Sequence, residues 1–348
     1  MPKLIFHGLA VKTNYQYLRS ICALSYGWYI WRIFPNKLED MISKSTRQLL
    51  RLHFSLFLMP VYWFALSQTV RVNSYRAILV FIILHLLVYP ASNGYNSYMD
   101  RDTHSIGGIK NPAQPTKQLF YVSVVLDITA IILSGFISMY FLLGIMAYIA
   151  ASRAYSYRGI RLKKYPILGY LTVVIFQGAV TFFLVMHGSS ENKTLAVPVI
   201  GMIAASLLIG GFYPLTQIYQ HKQDKEDGVI TLSYLLGYRG TFIFTAIIYI
   251  FAVTSPAILL ISTLQQTSFF IIQVFFIPVL VYFAWWYKKV VSNTEAANFT
   301  NTMRMNVLAS ACSNAAFIAL KPIVIIAIKT VIKPAARNIH QLILIRLA

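Results

Sequence analysis

YPASNGYNSYMDRDTHSIGG, residues 89–108, closes a long apolar run with amides, hydroxyls and two acids. The chain has 348 residues, 57% of them hydrophobic, and only ten Asp and Glu in all. Two of those ten standing two residues apart at the end of an apolar helix need a physical reason. The run before them, 76–99, is long enough to cross about 30 Å of hydrocarbon as a helix. The quoted stretch therefore marks where a spanning helix leaves the membrane.

Composition supports that frame. With 11% charged residues and a mean hydropathy of +0.63, the chain has too little charge to cover a soluble surface of its length. The reading is an all-α integral membrane protein. A formal charge of +20 would suit nucleic acid if the cations gathered on one soluble face. They lie instead between apolar runs, so no nucleic-acid partner is expected, and membrane lipids are. Cys22 and Cys312 have no metal or disulfide spacing and read as packing residues. Residues 1–48 mix aromatics with scattered Lys and Arg and read as a cytoplasmic or interfacial segment, without the layout of a signal peptide.

Apolar stretches fall at 49–68, 76–99, 118–134, 137–155, 166–187, 195–219, 241–261, 268–287 and 304–326. We expect about nine transmembrane helices across 49–326, followed by a basic tail at 327–348. Alternate loops and the leader carry 22 Lys and Arg, whereas the intervening loops hold Arg71, Arg76 and Lys193. The positive-inside rule makes the first side cytoplasmic. Five later cations, beginning at Lys321, conflict with nine crossings unless the tail folds back or the count is off by one.

Sliding the chain by 124 residues pairs the opening stretch with YPLTQIYQHKQDKEDG, residues 213–228. Tyr89 and Pro90 meet Tyr213 and Pro214, Asn93 and Asn96 meet Gln217 and Gln220, Asp100 meets Asp224, and Asp102 meets Glu226. Nine of fourteen positions are chemically alike. In each copy an amide precedes an acid by four residues, which puts both on one helix face. Carboxylates at the mouth of a membrane cavity are costly unless a cation joins them. Mg2+ suits them, since it takes one or two carboxylates plus phosphate oxygens, and Asn or Gln can add a neutral oxygen. The plain alternative, solvated acids at helix ends, explains one such loop better than two in register.

The loop SRAYSYRGIRLKKYP, residues 152–166, holds Arg153, Arg158, Arg161, Lys163 and Lys164 with no acid. Such a cluster suits a diphosphate, though ordinary loop topology also accounts for any one of these cations. Arg161 and Lys163 are the first choices. Asp127 lies in the middle of the third apolar run and is a candidate base, since intramembrane acids are functional candidates by default; a helix-contact role weighs equally. Gln177, Asn306 and Asn314 read first as interhelical hydrogen-bonding residues, and His187 as an outer-surface residue.

The two acidic loops and the Tyr-Ser loop together resemble the UbiA-type intramembrane prenyltransferases. Asn96 and Asp100 match the start of that family's Asn-x-x-x-Asp-x-x-x-Asp motif; Asp224 and Gly228 match the end of its Asp-x-x-x-Asp-x-x-x-Gly motif. Tyr155, Ser156 and Lys163 match its Tyr-Ser loop. His104 stands where the first motif ends in Asp, and Gln220 where the second begins with it; Asp102 and Glu226 are the candidate replacements. The resemblance implies helices around a central cavity under a cytoplasmic cap. It implies a Mg2+-dependent prenyltransferase that moves a prenyl group from an isoprenyl diphosphate to a lipophilic, aromatic acceptor. Asp100, Asp102 and Asp224 would hold Mg2+ with Asn96, Gln220 and Glu226. Arg158, Arg161, Lys163, Lys164, Tyr155 and Asn93 would meet the diphosphate. We expect a bacterial inner (plasma) membrane with the active site facing the cytoplasm. The competing readings are a secondary transporter, which predicts charge near the bilayer centre, and a non-catalytic prenyl-lipid scaffold.

Overall fold

A computed structural model describes residues 42–262 and 266–320. The rest of the leader, Cys22 and the basic tail fall outside those residues. Among the described residues the regular structure is helical, apart from two isolated bridges, Val72 with Ser190 and Ile106 with Ile109. The chain begins with α1 (Lys44–Leu49), a 3-10 turn (Leu52–Phe57) and α2 (Met59–Gln68). α3 (Ser74–Asp100), α4 (Lys117–Gly135), α5 (Met139–Ser156), α6 (Pro166–Ser189) and α7 (Val199–Gln217) follow. A short α8 (His221–Glu226) then leads to α9 (Leu232–Ser262), α10 (Gln266–Ser292) and α11 (Phe299–Ala319).

The first predicted stretch, 49–68, runs over the end of α1, the 3-10 turn and α2, and each of the others falls mainly in one helix, the last being described as far as residue 320. By length and composition six are apolar enough to cross a membrane, or seven if the bent pair Lys44–Phe57 and Met59–Gln68 is one span. That is fewer than the nine expected. The difference is physical: α5 carries Arg153, and α11 carries Arg304 with several Asn and Ser. Outward faces are apolar, with Val125, Ile132, Ile250, Val274 and Val281 more than half exposed, as lipid-facing surfaces require.

Local chemistry sets the breaks. Ser138 caps α5 by accepting from Phe141 N at 3.0 Å, and Asn298 caps α11 through Asn301 N at 3.0 Å. In α3 a widened π turn, Ile82–Val88, runs up to Pro90; a proline ring there would strike the carbonyl four residues back in a regular α-helix. A second π turn, Ile175–Val180, interrupts α6, and Thr181 Oγ1 donates to Phe176 O at 2.9 Å across it. Within it Gly178 lets α6 approach α7, because an added Cβ would lie 2.4 Å from Ser206 Cα.

At one end of the bundle the loops are tied to each other by Asn73 N to Ser189 O at 2.8 Å and by Ser138 Oγ with His187 Nε2 at 2.7 Å. His187 is thus buried and bonded, not the surface residue expected. At the other end a cap forms. Residues Ile106–Ile109 turn back on themselves through two backbone bonds of 2.9 Å, with Gly108 at φ +83. The buried Ile106 and Ile109 pack on Leu49, Leu50 and Leu119.

Asp127, the candidate base, makes a helix contact. It pairs with Arg153, joining α4 to α5. The Arg153 guanidinium also lies 3.9 Å from the centre of the Tyr95 ring on α3. The pair explains a mid-helix acid as a three-helix tie. Removing one partner strands the other in a poorly hydrated place, so Asp127→Leu should cost about 3–5 kcal/mol of stability. Thermal unfolding in detergent checks this, and an unchanged melting temperature would contradict the tie.

Candidate active site

The last turn of α3 carries the first copy of the repeated pattern. Asn96 Nδ2 donates to Asp100 Oδ2 at 2.9 Å and to Ser156 Oγ at 3.1 Å, so the four-residue spacing produces the contact read from sequence. The loop after α5 then folds over Asp100. Arg161 adopts a left-handed backbone, φ +51, held by its N–H to Tyr157 O at 2.7 Å. The 3-10 turn that follows, Leu162–Lys164, presents Lys163 Nζ 2.5 Å from Asp100 Oδ2. Arg161 Nη2 lies 3.9 Å from Asp100 Oδ1 and pairs with Asp227.

The second copy is built differently. α7 stops at Gln217, and Asp224 sits on the separate α8. Gly228, at φ +68, terminates α8. Gly228 N donates to Lys225 O at 3.1 Å and Val229 N to Asp224 O at 2.7 Å, the paired bonds of a Schellman end that needs glycine at that point. His221 Nε2 bonds Ser233 Oγ at 2.7 Å and fastens α8 to the start of α9. Burial depresses that imidazole to about 4, so it is neutral at physiological pH. Gly237 breaks α9 with φ +69.

Between these elements lies a cavity of about 180 Å³. Asn96, Asp100, Asp102, Lys163, Asp224 and Asp227 all line it. Two of its acids hold their protons tightly. Burial, reinforced by the charge of Asp100, pushes the Asp102 carboxyl up to about 6. Burial raises Asp224 to about 7 against the pull of Lys163. Asp100 is 4% exposed in its side chain, and its Oδ1 accepts no hydrogen bond among the described residues. An orphaned carboxylate oxygen beside two acids pushed toward neutrality is a place a cation would relieve.

Among the described residues no three His, Cys, Asp or Glu converge as a ready-made metal cage. The donor set fits Mg2+ in its other style, one or two carboxylates per ion with the remaining positions filled by water and phosphate. Asp100, Asp102 and Asp224, with the Asn96 amide, are the residues that could hold it.

The other predicted residues divide. Asn93, Tyr155 and Gln220 line the cavity; Gln220 Nε2 also donates to Ser105 O at 3.2 Å and ties α8 to the cap. Arg158 holds the end of α3 through Met99 O at 2.7 Å. Lys164 turns to the Tyr165 ring, 4.9 Å from its centre, and is not in the cavity wall. Glu226 and His104 line a separate surface hollow. Asp102, not His104, thus occupies the cavity in the first copy, whereas in the second Asp227 does so in place of Glu226.

Sequence reasoning missed three residues. Asp227 was visible only as one more loop acid, and its approach depends on the turn at Gly228. Gln223 Nε2 donates to Asp102 Oδ1 at 2.5 Å, a contact between distant loops that no local pattern announces. Arg51, at φ +47, lines the cavity and donates to Asn93 O at 3.3 Å; the available signal was a lone cation inside the first apolar run.

A profile of the UbiA prenyltransferase family matches residues 57–308. No curated protein sequence matches the chain. Among solved structures, a UbiA homolog from Archaeoglobus fulgidus bound to DMAPP and Mg2+ superposes with TM-score 0.58 at 18% identity, covering 80% of this chain and 99% of that one. The same homolog bound to GPP and Mg2+ gives 0.57 at 15%, with the same coverage. A digeranylgeranylglyceryl phosphate synthase gives 0.53 at 17%, covering 80% of this chain and 98% of its own. At these identities the structural likeness establishes the fold, and the profile establishes kinship. The chain belongs to the UbiA prenyltransferase family.

Proposed function

We propose that this integral membrane prenyltransferase takes an isoprenyl diphosphate as donor and transfers its prenyl group to a lipophilic acceptor, with Mg2+ in the cavity. The observation that carries this reading is the meeting of Asp100, Asp102 and Asp224 with Lys163 around one cavity. The similar archaeal homolog holds isoprenyl diphosphates with Mg2+. The Lys and Arg excess in the loops at this end supports a cavity mouth that faces the cytoplasm, and we read the membrane as a bacterial inner membrane.

Bound Mg2+ would neutralise charge on the diphosphate and so favour its departure. The protein's own groups do the rest. Lys163 and Arg161, now paired with Asp100 and Asp227, supply cations at the place where the diphosphate gathers negative charge. As the allylic C–O bond breaks, the electron pair leaves with the diphosphate, and fixed cations stabilise that charge without reorganising. Tyr155 and Tyr213, joined through their hydroxyls, offer ring faces to the allylic cation. The cap turn at Ile106–Ile109 limits the access of water, which would otherwise capture that cation. An electron-rich acceptor carbon then forms the new bond and loses its proton to the released diphosphate. Asp127, bound to Arg153, has no part in this scheme.

Two measurements test the reading. Purified protein in nanodiscs, given allylic diphosphates of graded length and candidate aromatic acceptors, should release diphosphate only with Mg2+. Asp100→Asn and Asp224→Asn should each lower the rate by about 10²–10³. No release from any donor would move the weight to a lipid-binding or transport role.

The second is pH dependence. Protons compete with Mg2+ for Asp102 and Asp224, whose values are raised to about 6 and about 7. Mg2+ affinity should therefore rise as pH passes upward through that window. Because both values exceed the unfolded carboxylate value of about 4, the metal-free fold should lose stability as pH rises from about 4 to 7. Asp224→Asn should flatten the upper part of both curves. Calorimetric Mg2+ titration and thermal unfolding across pH check the two signs.

A further inference from the structure

On the side of α2, α7 and α11 the carboxylate cavity meets a second, apolar chamber of about 130 Å³. Phe54, Gln177, Tyr213 and Thr216 line both spaces and form the neck between them. Leu58, Val61, Leu208 and Ile209 supply apolar walls, and among the described residues no charged side chain lines the chamber. One wall is different. α11 turns Asn306, Ser310 and Ser313 toward the space, a spacing of four and three residues that puts all three on one helix face. Asn306 is 4% exposed, and its Nδ2 has no hydrogen-bond partner among the described residues.

Interhelical bonding accounts for the neighbouring Asn314, whose Nδ2 donates to Leu56 O at 3.3 Å. It does not account for the Asn306 Nδ2. A buried amide N–H against an apolar space is costly unless the occupant brings an acceptor atom. A prenyl hydrocarbon has none. The donor chain has another apolar lobe, formed by Tyr148, Val173 and Phe176 at the α5 and α6 side of the first cavity.

Resting on the proposed prenyl transfer, we infer that the α2–α7–α11 chamber is the acceptor site, and that the acceptor is a neutral lipophile whose phenolic or carbonyl oxygen is held by Asn306. A carboxylate or phosphate headgroup would find no counter-ion in that wall and would lose its hydration on entry. Asn306 then fixes which carbon of the acceptor faces the neck, and Gln177 stands at the crossing point.

The test uses full-length protein in nanodiscs and three probes with one apolar body: nonylbenzene, para-nonylphenol and para-nonylbenzoate, at neutral pH and after subtraction of partitioning into empty nanodiscs. The phenol should bind about threefold to tenfold more tightly than nonylbenzene, and the benzoate more weakly than either. Asn306→Leu should abolish the phenol's advantage while keeping nonylbenzene binding, which also shows that the chamber is folded. Asn306→Ala, which adds no bulk, serves if the leucine is not tolerated. If wild type releases no diphosphate, prenyl transfer fails, yet the order of probe binding still decides the nature of the chamber. Benzoate binding as tight as phenol, no phenol advantage in wild type, or an advantage that survives loss of Asn306 would each overturn the inference.

Discussion

Carboxylates withdrawn from water at one end of a helix bundle repel one another and lose hydration, and the rest of this structure answers that cost. Asp100, Asp102, Asp224 and Asp227 line a single cavity. The protein places Lys163 and Arg161 against two of them and leaves Asp102 and Asp224 pushed toward neutrality. The Schellman end of α8, the left-handed Arg161 and the two-isoleucine cap all serve to bring distant loops to this point. Such clustering lowers the stability of the empty protein, a common cost of a functional site.

The repeat is symmetric in sequence and asymmetric in space. In the first copy the helix runs unbroken to Asp100, and the second acid lies just beyond, at Asp102. In the second copy the helix ends at Gln217 and a new turn of helix carries Asp224. Two acids per copy line the cavity, Asp100 and Asp102 in the first and Asp224 and Asp227 in the second, whereas Glu226 lines a separate hollow. One residue of offset decides it: the glycine-terminated turn points Asp227 inward to Arg161, and Glu226 outward.

Much of the fold was legible because hydropathy and membrane thickness leave few choices. Every apolar stretch but the first falls mainly in a single helix, and the Asn96 to Asp100 contact followed from helical periodicity alone. What was not legible depends on contacts between segments far apart. Asp127 reads as a functional acid until Arg153 is seen beside it. His187 reads as a surface residue until Ser138 is seen bonding it. Arg51, Gln223 and Asp227 reach the cavity through left-handed residues and turns whose geometry is set by tertiary packing. Length and composition alone pick out six or seven of the expected nine spans, because α5 carries Arg153 and α11 carries Arg304 with several Asn and Ser.

The central claim is that both copies contribute to one divalent-cation site. Electron paramagnetic resonance of Mn2+ added to the purified protein with inorganic diphosphate reads this directly, comparing wild type with Asp100→Asn and Asp224→Asn. Bound Mn2+ in wild type, lost in either variant, is the expected result. Mn2+ retained in both variants, or lost in only one of them, would contradict a site shared between the two copies.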